Sequence, residues 1–464
     1  ETGKNQSNDM GKTFTARINI EDIRRLNNPY DEGTLAFNII NNSVNASNGT
    51  QLTNVPLNKV AEETSYETLP YYANLILYGS DLNALADCAV ALGDGEISDE
   101  CDKVKFYEEC TDDVIGKYVY DDSDFHHYGP VLGCSSDNTP IIAEEDIVLS
   151  VSNDEYGTSY YYRGNIEDNY VTFADMCWRI VRIDGNGNTK LILEDQDQPC
   201  STSIDGNWGI PTTTGGSTFT GNFGYTQYSS NTLTASDGTK NSSTKYIMDY
   251  LHGQTSSERS MATAFKNFQN TFTEAELSKL KAGDWCLADN GYSRTGSSNL
   301  DYTYTLLNET QKLDYKIKGT SLYYDSYVRL SGSNKDGFQP TLKCNGTIMN
   351  DWDDIYKTPM YVGAITADEI VYAGGKPYPN NDNFYLVNEN FKNDELGYYN
   401  FWSLSPYRFI NPSEEAFALE NYGDMTTYHV YLNDGAFRPA ITLKSDIEIA
   451  TGGTGTKENP YVIK

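Results

Sequence analysis

Short strand-like runs separated by turn residues follow one another from residue 145 onward. Ser159–Arg163 is one such run, and Cys177–Ile183 and Lys190–Leu193 are two more. The last two flank Asp184–Asn188, and two β-rich runs around an Asp/Gly/Asn turn predict a β-hairpin. Antiparallel β-structure is therefore expected in this part of the chain.

Strict alternation within this hairpin assigns its side chains to two faces. Trp178 and Ile180 fall on one face, and Val181 and Ile183 fall on the other. We expect the tryptophan face to be the better packed. A register error of one residue would exchange the two faces.

Helical signals occur at separate points along the chain. Leu35–Ile40 places apolar residues near helical spacing. Thr273-x-x-Glu276 and Thr366-x-x-Glu369 are capping boxes, and each predicts a helix start. The second helix is expected to stop at Gly374. The remaining predicted elements are a strand over Phe14–Ile20 and helices over Asp22–Leu26 and Ser257–Phe272.

These patterns predict an α+β protein with mixed, mostly antiparallel short strands, few helices and long loops. Residues 1–11 are interpreted as an expression scar and a flexible tail. Residues 12–140 are expected to form an N-terminal region stapled by disulfides, which offset its few apolar residues. Residues 141–464 are expected to form the main domain. Within it, 201–244 is rich in Gly, Ser, Thr and Asn, which predicts a long surface loop.

Charge narrows the range of partners. The chain has 464 residues and a net charge of −32, from 66 acidic and 34 basic side chains. Such a surface repels nucleic acid phosphates and anionic lipid heads. No apolar stretch approaches the roughly 18–20 residues that span a bilayer, so membrane attachment is expected only through segments outside this sequence. The aromatic content of 13% indicates a folded chain.

Cysteine usage indicates an oxidising compartment. The eight cysteines include no CxxC pair and no cysteine–histidine spacing that suits zinc, so disulfides are favoured. We predict that the first four pair among themselves, that Cys177 pairs with Cys200, and that Cys286 pairs with Cys344. The predicted disulfide residues are Cys88, Cys101, Cys110, Cys134, Cys177, Cys200, Cys286 and Cys344. The protein is therefore expected outside the cell.

The sequence contains no recognisable catalytic motif. HExxH, a Walker loop, a GxGxxG that follows a strand and a GxSxG elbow are all missing, so no catalytic residue is assigned. The 66 acidic residues always offer carboxylate pairs for glycoside hydrolysis, and nothing singles out two of them. An enzymatic role is left open, and a non-enzymatic one is favoured.

Metal sites have only weak candidates, and we predict no metal site and no cofactor, with calcium kept as an alternative. Asp184-x-Asn186-x-Asn188 resembles the start of an EF-hand loop, but Thr189 stands where that loop needs glycine. A hairpin turn explains this segment better. One further candidate is an acidic loop around two adjacent histidines, with Asp121, Asp122, Asp124, His126 and His127. The others are the segment Asp94–Cys101 and the three aspartates near Trp352, which are Asp351, Asp353 and Asp354.

Several conspicuous side chains are expected to be structural. Trp178, Trp285 and Trp402 lie among apolar or turn residues, which favours a place in the core. Arg438, between Phe437 and Pro439, is expected to be buried and hydrogen-bonded.

Six segments within residues 145–464, taken together and in their order along the chain, resemble an uncharacterised domain family of secreted and surface proteins from gut Firmicutes. They are Tyr160–Gly164, Cys177–Arg182, Ala364–Gly374, Phe401–Pro406, Phe437–Leu443 and Gly455–Ile463. The resemblance implies a location at the cell surface and assigns no activity.

The C-terminal half also resembles, more distantly, the C-type-lectin-like fold of formylglycine-generating enzymes and of variable binding proteins. The segment around Trp402 and the closing Gly435–Pro439 carry this resemblance. The enzymes of that fold require a reactive cysteine pair late in the domain, whereas here no cysteine follows Cys344. The resemblance therefore implies a binding role.

The variable binding proteins place their contact face in a C-terminal stretch rich in Tyr, Asn, Asp and Ser, and residues 384–434 have that composition. Tyrosine supplies rigid contact area and asparagine adaptable hydrogen bonds. The alternative explanation is that the whole chain is rich in both residues. The predicted ligand-binding residues are Tyr398, Tyr399, Asn400, Tyr407, Asn421, Tyr422, Tyr428, Tyr431 and Asn433.

The sequence thus favours a bacterial surface adhesin or receptor-binding protein that recognises a host protein or glycan. A secreted hydrolase of glycans or peptides is the second hypothesis. A structural envelope or pilus subunit is the third.

Overall fold

The computed structural model describes the chain in segments. These are residues 28–46, 75–77, 104–106, 118–121, 127–134, 140–142, 149–200, 208, 225–227, 233–241, 246–248, 261–297, 302–330, 339–351, 358–375, 384–387, 400–410, 413–421, 423–430 and 436–464. The predicted strand over Phe14–Ile20 and the predicted helix over Asp22–Leu26 lie outside these residues.

The helices of the described residues are short. They are α1 (Leu35–Ala46), α2 (Met261–Gln269), α3 (Glu274–Leu277), α4 (Glu309–Lys318), α5 (Asp325–Leu330) and α6 (Ala367–Ala373).

The strands are short as well, apart from β21. They are β1 (Leu75–Leu77), β2 (Val104–Phe106), β3 (Tyr118–Asp121), β4 (His127–Cys134), β5 (Pro140–Ile142), β6 (Leu149–Asn153), β7 (Thr158–Tyr162), β8 (Tyr170–Phe173), β9 (Met176–Ile183), β10 (Thr189–Asp195), β11 (Tyr225–Gln227), β12 (Leu233–Thr234), β13 (Lys240–Asn241), β14 (Tyr246–Met248), β15 (Trp285–Cys286), β16 (Gly291–Thr295), β17 (Thr303–Leu306), β18 (Leu322–Tyr324), β19 (Ile348–Met349), β20 (Val362–Gly363), β21 (Asn400–Ile410), β22 (Ser413–Glu420), β23 (Met425–His429), β24 (Ala440–Leu443) and β25 (Tyr461–Val462).

Three larger sheets organise these strands. An N-terminal sheet has the order β2-β1-β3-β4-β5, and an eight-stranded sheet has the order β20-β24-β10-β9-β7-β6 with β8 and β25 attached beside β9. A six-stranded sheet has the order β17-β16-β18-β21-β22-β23. Neighbouring strands are antiparallel, with a parallel pairing between β8 and β25. The predicted mixed, mostly antiparallel architecture with few helices is confirmed.

The predicted hairpin is formed by β9 and β10, which pair from Thr189 opposite Ile183. The tryptophan face was expected to be better packed than the other face, but the two faces are equally buried. Trp178, Ile180 and Ile183 are 0% exposed, and Val181 is 3% exposed. The strand lies between two covered layers, and an irregularity at Lys190/Leu191 interrupts the strict alternation. Both faces therefore belong to the core.

The turn of this hairpin is held by one carboxylate. Asp184 Oδ1 accepts hydrogen bonds from the backbone nitrogens of Asn186 at 2.9 Å and Asn188 at 2.8 Å. The side chain of Asn188 also donates to Asp184. The EF-hand-like spacing is thus explained by an Asx-type turn, as the sequence favoured.

Replacing Asp184 by alanine is expected to lower the free energy of unfolding by about 1–3 kcal/mol, because it leaves these buried donors without an acceptor. Denaturant unfolding measures this loss. Adding excess calcium is expected to shift the midpoints of wild type and variant equally, and a calcium-dependent rise confined to the wild type would contradict a purely structural turn.

Helix α1 packs on the C-terminal part of the chain. The backbone nitrogen of Leu35 donates to Ile447 O at 2.9 Å, and Thr34 forms a bridge with Glu448. Asn42 donates to the hydroxyl of Tyr461 at 2.9 Å. The predicted boundary at residue 140 assigned this helix to the N-terminal region, whereas its contacts are with residues 447–461.

Two described parts of the segment 201–244 contact other parts of the chain. Trp208 is 0% exposed and packs edge-on against Phe401 at 5.6 Å. Described residues 233–241 form the small β12–β13 hairpin, and Ser236 N donates to Asp314 at 2.8 Å. A buried tryptophan thus occurs within a stretch whose overall composition is polar.

Both capping boxes are confirmed. Thr273 and Glu276 exchange hydrogen bonds at the start of α3, and Thr366 and Glu369 do the same at the start of α6, which ends at Gly374. Within the described residues 261–272, the helix predicted over Ser257–Phe272 is found as α2, which ends at Gln269. The helix predicted from Leu35 extends to Ala46.

Two predicted disulfides are confirmed, Cys177–Cys200 and Cys286–Cys344. The pairing of the first four cysteines lies outside what the described residues show. Within the described segments, no helix is long and apolar enough to cross a membrane.

The residues predicted to be structural are buried. Trp178, Trp285, Trp402 and Arg438 are each at most 1% exposed. Arg438 donates to Leu193 O at 2.8 Å, to Leu386 O at 2.8 Å and to Glu194 at 2.6 Å. It therefore joins three parts of the core, as expected of a buried arginine.

Candidate binding face

One row of side chains crosses the whole six-stranded sheet. Residues directly opposite one another on antiparallel strands point to the same face, so the register of the sheet defines the row. From one edge to the other, the row is Leu306, Tyr292, Tyr323, Arg408, Glu415 and His429. A second, shorter row pairs Arg294 with Tyr304 on the same face.

The opposite face of the sheet belongs to the core. Leu322, Phe409 and Tyr324 are at most 1% exposed there. The hydroxyl of Tyr324 donates to Glu414 at 2.6 Å, and Glu414 also forms an ion pair with Lys316 of α4. The sheet therefore has a covered face and a second face that reaches the surface only in part. On the second face Tyr323 and Glu415 are buried, whereas Tyr292 and Arg408 are half-buried.

Tyrosine rings dominate the surface-reaching face. Tyr327, from α5, contacts Tyr323 at 4.8 Å, Tyr407 at 4.7 Å and Tyr304 at 6.2 Å between ring centroids. Tyr407 in turn packs edge-on against Phe417 at 4.8 Å. Such tilted and edge-on contacts hold each ring in one orientation.

Arg294 lies among these rings. Its guanidinium carbon is 4.1 Å from the centroid of Tyr302 and 4.4 Å from that of Tyr323. Its Nη1 donates to the hydroxyl of Tyr327 at 3.2 Å. Cation–π stacking on two rings fixes the guanidinium while the side chain stays half-buried.

A second arginine lies beside this cluster. Arg408 pairs across the sheet with Tyr323 and donates from Nε to Glu415 at 2.6 Å. His429 Nδ1 lies 3.7 Å from the same carboxylate and is 38% exposed. We call the whole surface the tyrosine–arginine face, defined by Tyr292, Arg294, Tyr302, Tyr304, Tyr323, Tyr327, Tyr407 and Arg408.

Four tyrosine hydroxyls of this face have raised pKa values and stay protonated at neutral pH. Burial raises the pKa of Tyr292 and of Tyr407 to about 12, with further contributions from Asp325 and Tyr327 respectively. Burial also raises the pKa of Tyr304 and Tyr323. These side chains therefore act as neutral hydrogen-bonding groups with large apolar areas.

The structure divides the predicted ligand-binding residues. Asn400 and Asn421 are 1% exposed and belong to the core, so they offer no surface to a ligand in this structure. Tyr428 is half-buried and packs edge-on against Trp402 at 6.0 Å. Tyr407 is part of the tyrosine–arginine face. Tyr398, Tyr399, Tyr422, Tyr431 and Asn433 lie outside the described residues, and for them the prediction stays a prediction.

Most of the face was missed by sequence reasoning, which looked only at residues 384–434. The alternation Tyr292-x-Arg294 and Tyr302-x-Tyr304 places aromatic and basic side chains on one face of two strands. That signal was present in the sequence. Its connection to Tyr407 and Arg408 depends on strand pairing, which the pattern does not contain.

A separate polar pocket lies at the start of α6. Glu369 is 3% exposed and accepts hydrogen bonds from Arg182 Nε at 2.8 Å, Lys190 Nζ at 2.7 Å and the backbone nitrogen of Thr366 at 3.0 Å. Arg182 also donates to Asp154 at 2.9 Å. The two cations converge on one carboxylate.

The neighbouring acidic residue of α6 has its own cation. Asp368 forms a two-pronged ion pair with Arg329 and accepts a hydrogen bond from Thr341 N at 2.9 Å. Arg329 Nε also donates to Asp325 at 2.6 Å. We call Asp154, Arg182, Lys190, Asp325, Arg329, Asp368 and Glu369 the ion-pair cluster.

The carboxylates of the cluster differ in the direction of their pKa shifts. Burial raises the pKa of Glu369, but the charges of Lys190 and Arg182 outweigh burial and lower this pKa to about 2. For Asp325 burial outweighs the charge of Arg329, and its pKa is raised. Each carboxylate of the cluster is engaged by an arginine or a lysine.

The metal alternatives gain nothing from the structure. Asp184 and Asn188 serve the hairpin turn, and no group of three or more histidine, cysteine, aspartate or glutamate side chains that could hold a metal ion occurs among the described residues. Most of the candidates between Asp94 and His127, together with Trp352, Asp353 and Asp354, lie outside those residues or are described there only by their backbone.

Comparison with known proteins finds no matching family model, no matching curated protein and no matching solved structure.

Proposed function

We propose that this protein is an extracellular bacterial surface protein, an adhesin or receptor-binding protein, that binds a host protein or glycan through the tyrosine–arginine face. The observation that carries the proposal is the face itself: tyrosine rings packed around a stacked, half-buried arginine on one face of a six-stranded sheet, with Tyr302 and Tyr304 partly exposed beside it. Tyrosine and arginine are enriched at the energetic centres of binding interfaces.

Export is supported by the disulfides Cys177–Cys200 and Cys286–Cys344, because such bonds persist in oxidising compartments. The acidic charge keeps an exposed protein soluble. We include the C-type-lectin-like fold in the proposal on the strength of the sequence resemblance. The mixed, mostly antiparallel architecture is compatible with it.

The proposal predicts which side chains bind. Replacing Tyr302 or Tyr304 by alanine is expected to weaken binding at least tenfold, because each removes a large, partly exposed ring that contacts Arg294 or Tyr327. Both tyrosines are half-buried on or beside the edge strand β17, so the fold should tolerate the change. Tyr156→Ala is the matched control, since Tyr156 is 40% exposed and lies in the β6–β7 turn.

The measurement begins with wild-type protein on a glycan array and on a panel of purified extracellular host proteins. Saturable binding that is lost in the two face variants and kept in the control supports the proposal. A folded protein with no saturable ligand on either panel would refute it. Binding that is unchanged in both face variants would show that the ligand binds to another part of the protein.

A further inference from the structure

We propose that the turn between β22 and β23 holds a calcium ion, bound by the carboxylates of Glu420 and Asp424 and by the side-chain carbonyl oxygen of Asn400. The sequence motifs did not indicate this site. The inference does not depend on the proposed host ligand. We call the three residues the oxygen cluster.

Strand register places the three side chains of the oxygen cluster on one face of the sheet. Asn400 of β21 lies directly opposite Glu420 of β22. Glu420 N donates to Asp424 O at 2.9 Å, which makes Asp424 the partner of Glu420 across the turn. Residues opposite one another on antiparallel strands point to the same face, with Cβ atoms about 4.5–5.5 Å apart. The oxygen-bearing side chains therefore lie side by side in one row.

The turn itself holds the two carboxylates together. Gly423 N donates to Glu420 O at 2.9 Å, and the φ of Gly423 is +78°, a left-handed conformation that glycine adopts without strain. A three-residue loop of this kind closes a tight hairpin. Backbone geometry thus keeps Glu420 and Asp424 next to each other although their charges repel.

The two carboxylates have no basic partner among the described residues. Burial raises the pKa of Asp424, and the charge of Glu420 raises it further. The hydroxyl of Tyr428 donates to Glu420 and orients that carboxylate, but it brings no positive charge. A divalent cation would neutralise the two carboxylates charge for charge.

Two buried oxygen atoms of the oxygen cluster lack a hydrogen-bond donor. Asn400 is 1% exposed, and neither its Oδ1 nor the Oδ1 of Asp424 accepts a hydrogen bond from the part of the chain that the structure describes. Buried polar atoms in folded proteins nearly always have a partner. An amide oxygen without a donor, beside two carboxylates without a counter-charge, points to a bound cation that serves all three groups.

The chemistry of the ligands selects calcium among the common cations. Carboxylate and amide oxygens are hard ligands, which suit Ca²⁺ and Mg²⁺ better than Zn²⁺ or Cu²⁺. Mg²⁺ demands a near-ideal octahedron, whereas Ca²⁺ takes about 6–8 oxygen ligands in flexible geometry. Glu420 and Asp424 are half-buried, so water can complete the coordination. We expect an affinity typical of extracellular calcium modules, with a Kd of about 10⁻⁴–10⁻³ M.

Titration of the chelator-treated full chain with calcium tests the site. Calorimetry gives the affinity, and terbium luminescence gives a second readout, because a terbium ion in an oxygen site is excited by nearby aromatic rings. Tyr428 contacts Glu420 and packs edge-on against Trp402. The variants are Asp424→Asn, Asn400→Asp and the control Glu458→Gln, which removes an exposed carboxylate outside the oxygen cluster. Thermal unfolding in excess calcium verifies that each variant is folded.

We expect Asp424→Asn to weaken calcium binding at least tenfold and to abolish the terbium signal of this site, because it removes half of the negative charge. Asn400→Asp should tighten calcium binding at least threefold, because it adds a third charge to the ligands. Glu458→Gln should change the affinity by less than about twofold.

Urea unfolding separates calcium binding from a purely structural role of Asp424. In chelator, Asp424→Asn should be more stable than the wild type, because it removes a partly buried charge and its repulsion by Glu420. In excess calcium the order should reverse, since an ion that binds the folded state stabilises the wild type most. A purely structural role of Asp424 would give the same difference in both buffers.

Four results would overturn this inference. Calcium that neither binds to the wild type nor raises its unfolding midpoint would do so. Calcium binding that Asp424→Asn leaves unchanged would show that the ion binds to another part of the chain. An affinity that Asn400→Asp leaves unchanged would remove Asn400 from the ligands. The same order of stability in chelator and in calcium would leave the carboxylates without a metal-binding role.

Discussion

Replacing Glu369 by glutamine is expected to lower the free energy of unfolding by about 3–5 kcal/mol, because it removes one partner from a buried ion-pair cluster. Glutamine can still receive the hydrogen bond from Thr366 N, so the helix cap is kept. What is lost is the negative charge that compensates Arg182 and Lys190. The charged form of Lys190 is destabilised most by this loss, because burial already lowers the pKa of its ammonium group.

The matched control is Glu309→Gln. Glu309 also forms an ion pair with a lysine, Lys312, at 2.7 Å, but the Glu309 side chain is 80% exposed. An exposed pair of this kind contributes about 0–1 kcal/mol. Denaturant unfolding of both variants measures the difference. Equal losses would show that the ion-pair cluster contributes no more than a surface pair.

Acid titration gives the same prediction a second readout. The pKa of Glu369 is lowered from 4.5 to about 2, so between these values the unfolded chain binds a proton that the folded chain does not. The stabilisation is complete above about pH 4.5 and declines as the pH falls toward about 2. The stability gap between wild type and Glu369→Gln should therefore shrink in acid. A gap that stays constant would contradict this assignment.

Replacing Cys286 and Cys344 together by alanine is expected to lower the free energy of unfolding by about 4 kcal/mol, because this disulfide closes a long loop in the unfolded chain. The two cysteines are 58 positions apart, and Cys177 and Cys200 are 23 apart. Chain entropy therefore predicts a smaller loss of about 3 kcal/mol for the second pair. Urea unfolding of both double variants in oxidising buffer gives the two values.

The comparison separates chain entropy from local packing. Cys177 is 0% exposed, whereas Cys286 is half-buried, so packing alone would make the shorter loop the costlier loss. A larger loss for Cys286 and Cys344 supports the loop-closure account. A loss below about 1 kcal/mol for that pair would mean that the unfolded chain is already compact there.

Local signals predicted their elements well. The capping boxes at Thr273 and Thr366 depend on residues three positions apart, and both helices begin where they were expected. The hairpin at Asp184–Asn188 likewise depends on contacts within five residues. Such elements are readable from the sequence because their hydrogen bonds close within one turn.

Composition was a poorer guide where a single side chain decides the outcome. The polar stretch 201–244 was predicted to be a surface loop, but Trp208 within it is buried against Phe401. Asn400 and Asn421 were predicted to contact a ligand, and for that role they stay a prediction. Both residues lie in or beside the paired strands β21 and β22, and their side chains are buried there.

The sequence by itself determined the α+β class, the mostly antiparallel strands, the hairpin and the helix caps. The pairs Cys177–Cys200 and Cys286–Cys344 were a prediction that the structure confirmed, because eight cysteines allow many pairings. Only the tertiary structure decided the ion-pair cluster and the tyrosine–arginine face. Arg182 and Glu369 are 187 positions apart, and the face joins β16, β17, β18 and β21 through strand register. A local pattern specifies to which face of its own strand a side chain points. The side chains that it contacts there are decided by the pairing of strands that are distant in the sequence.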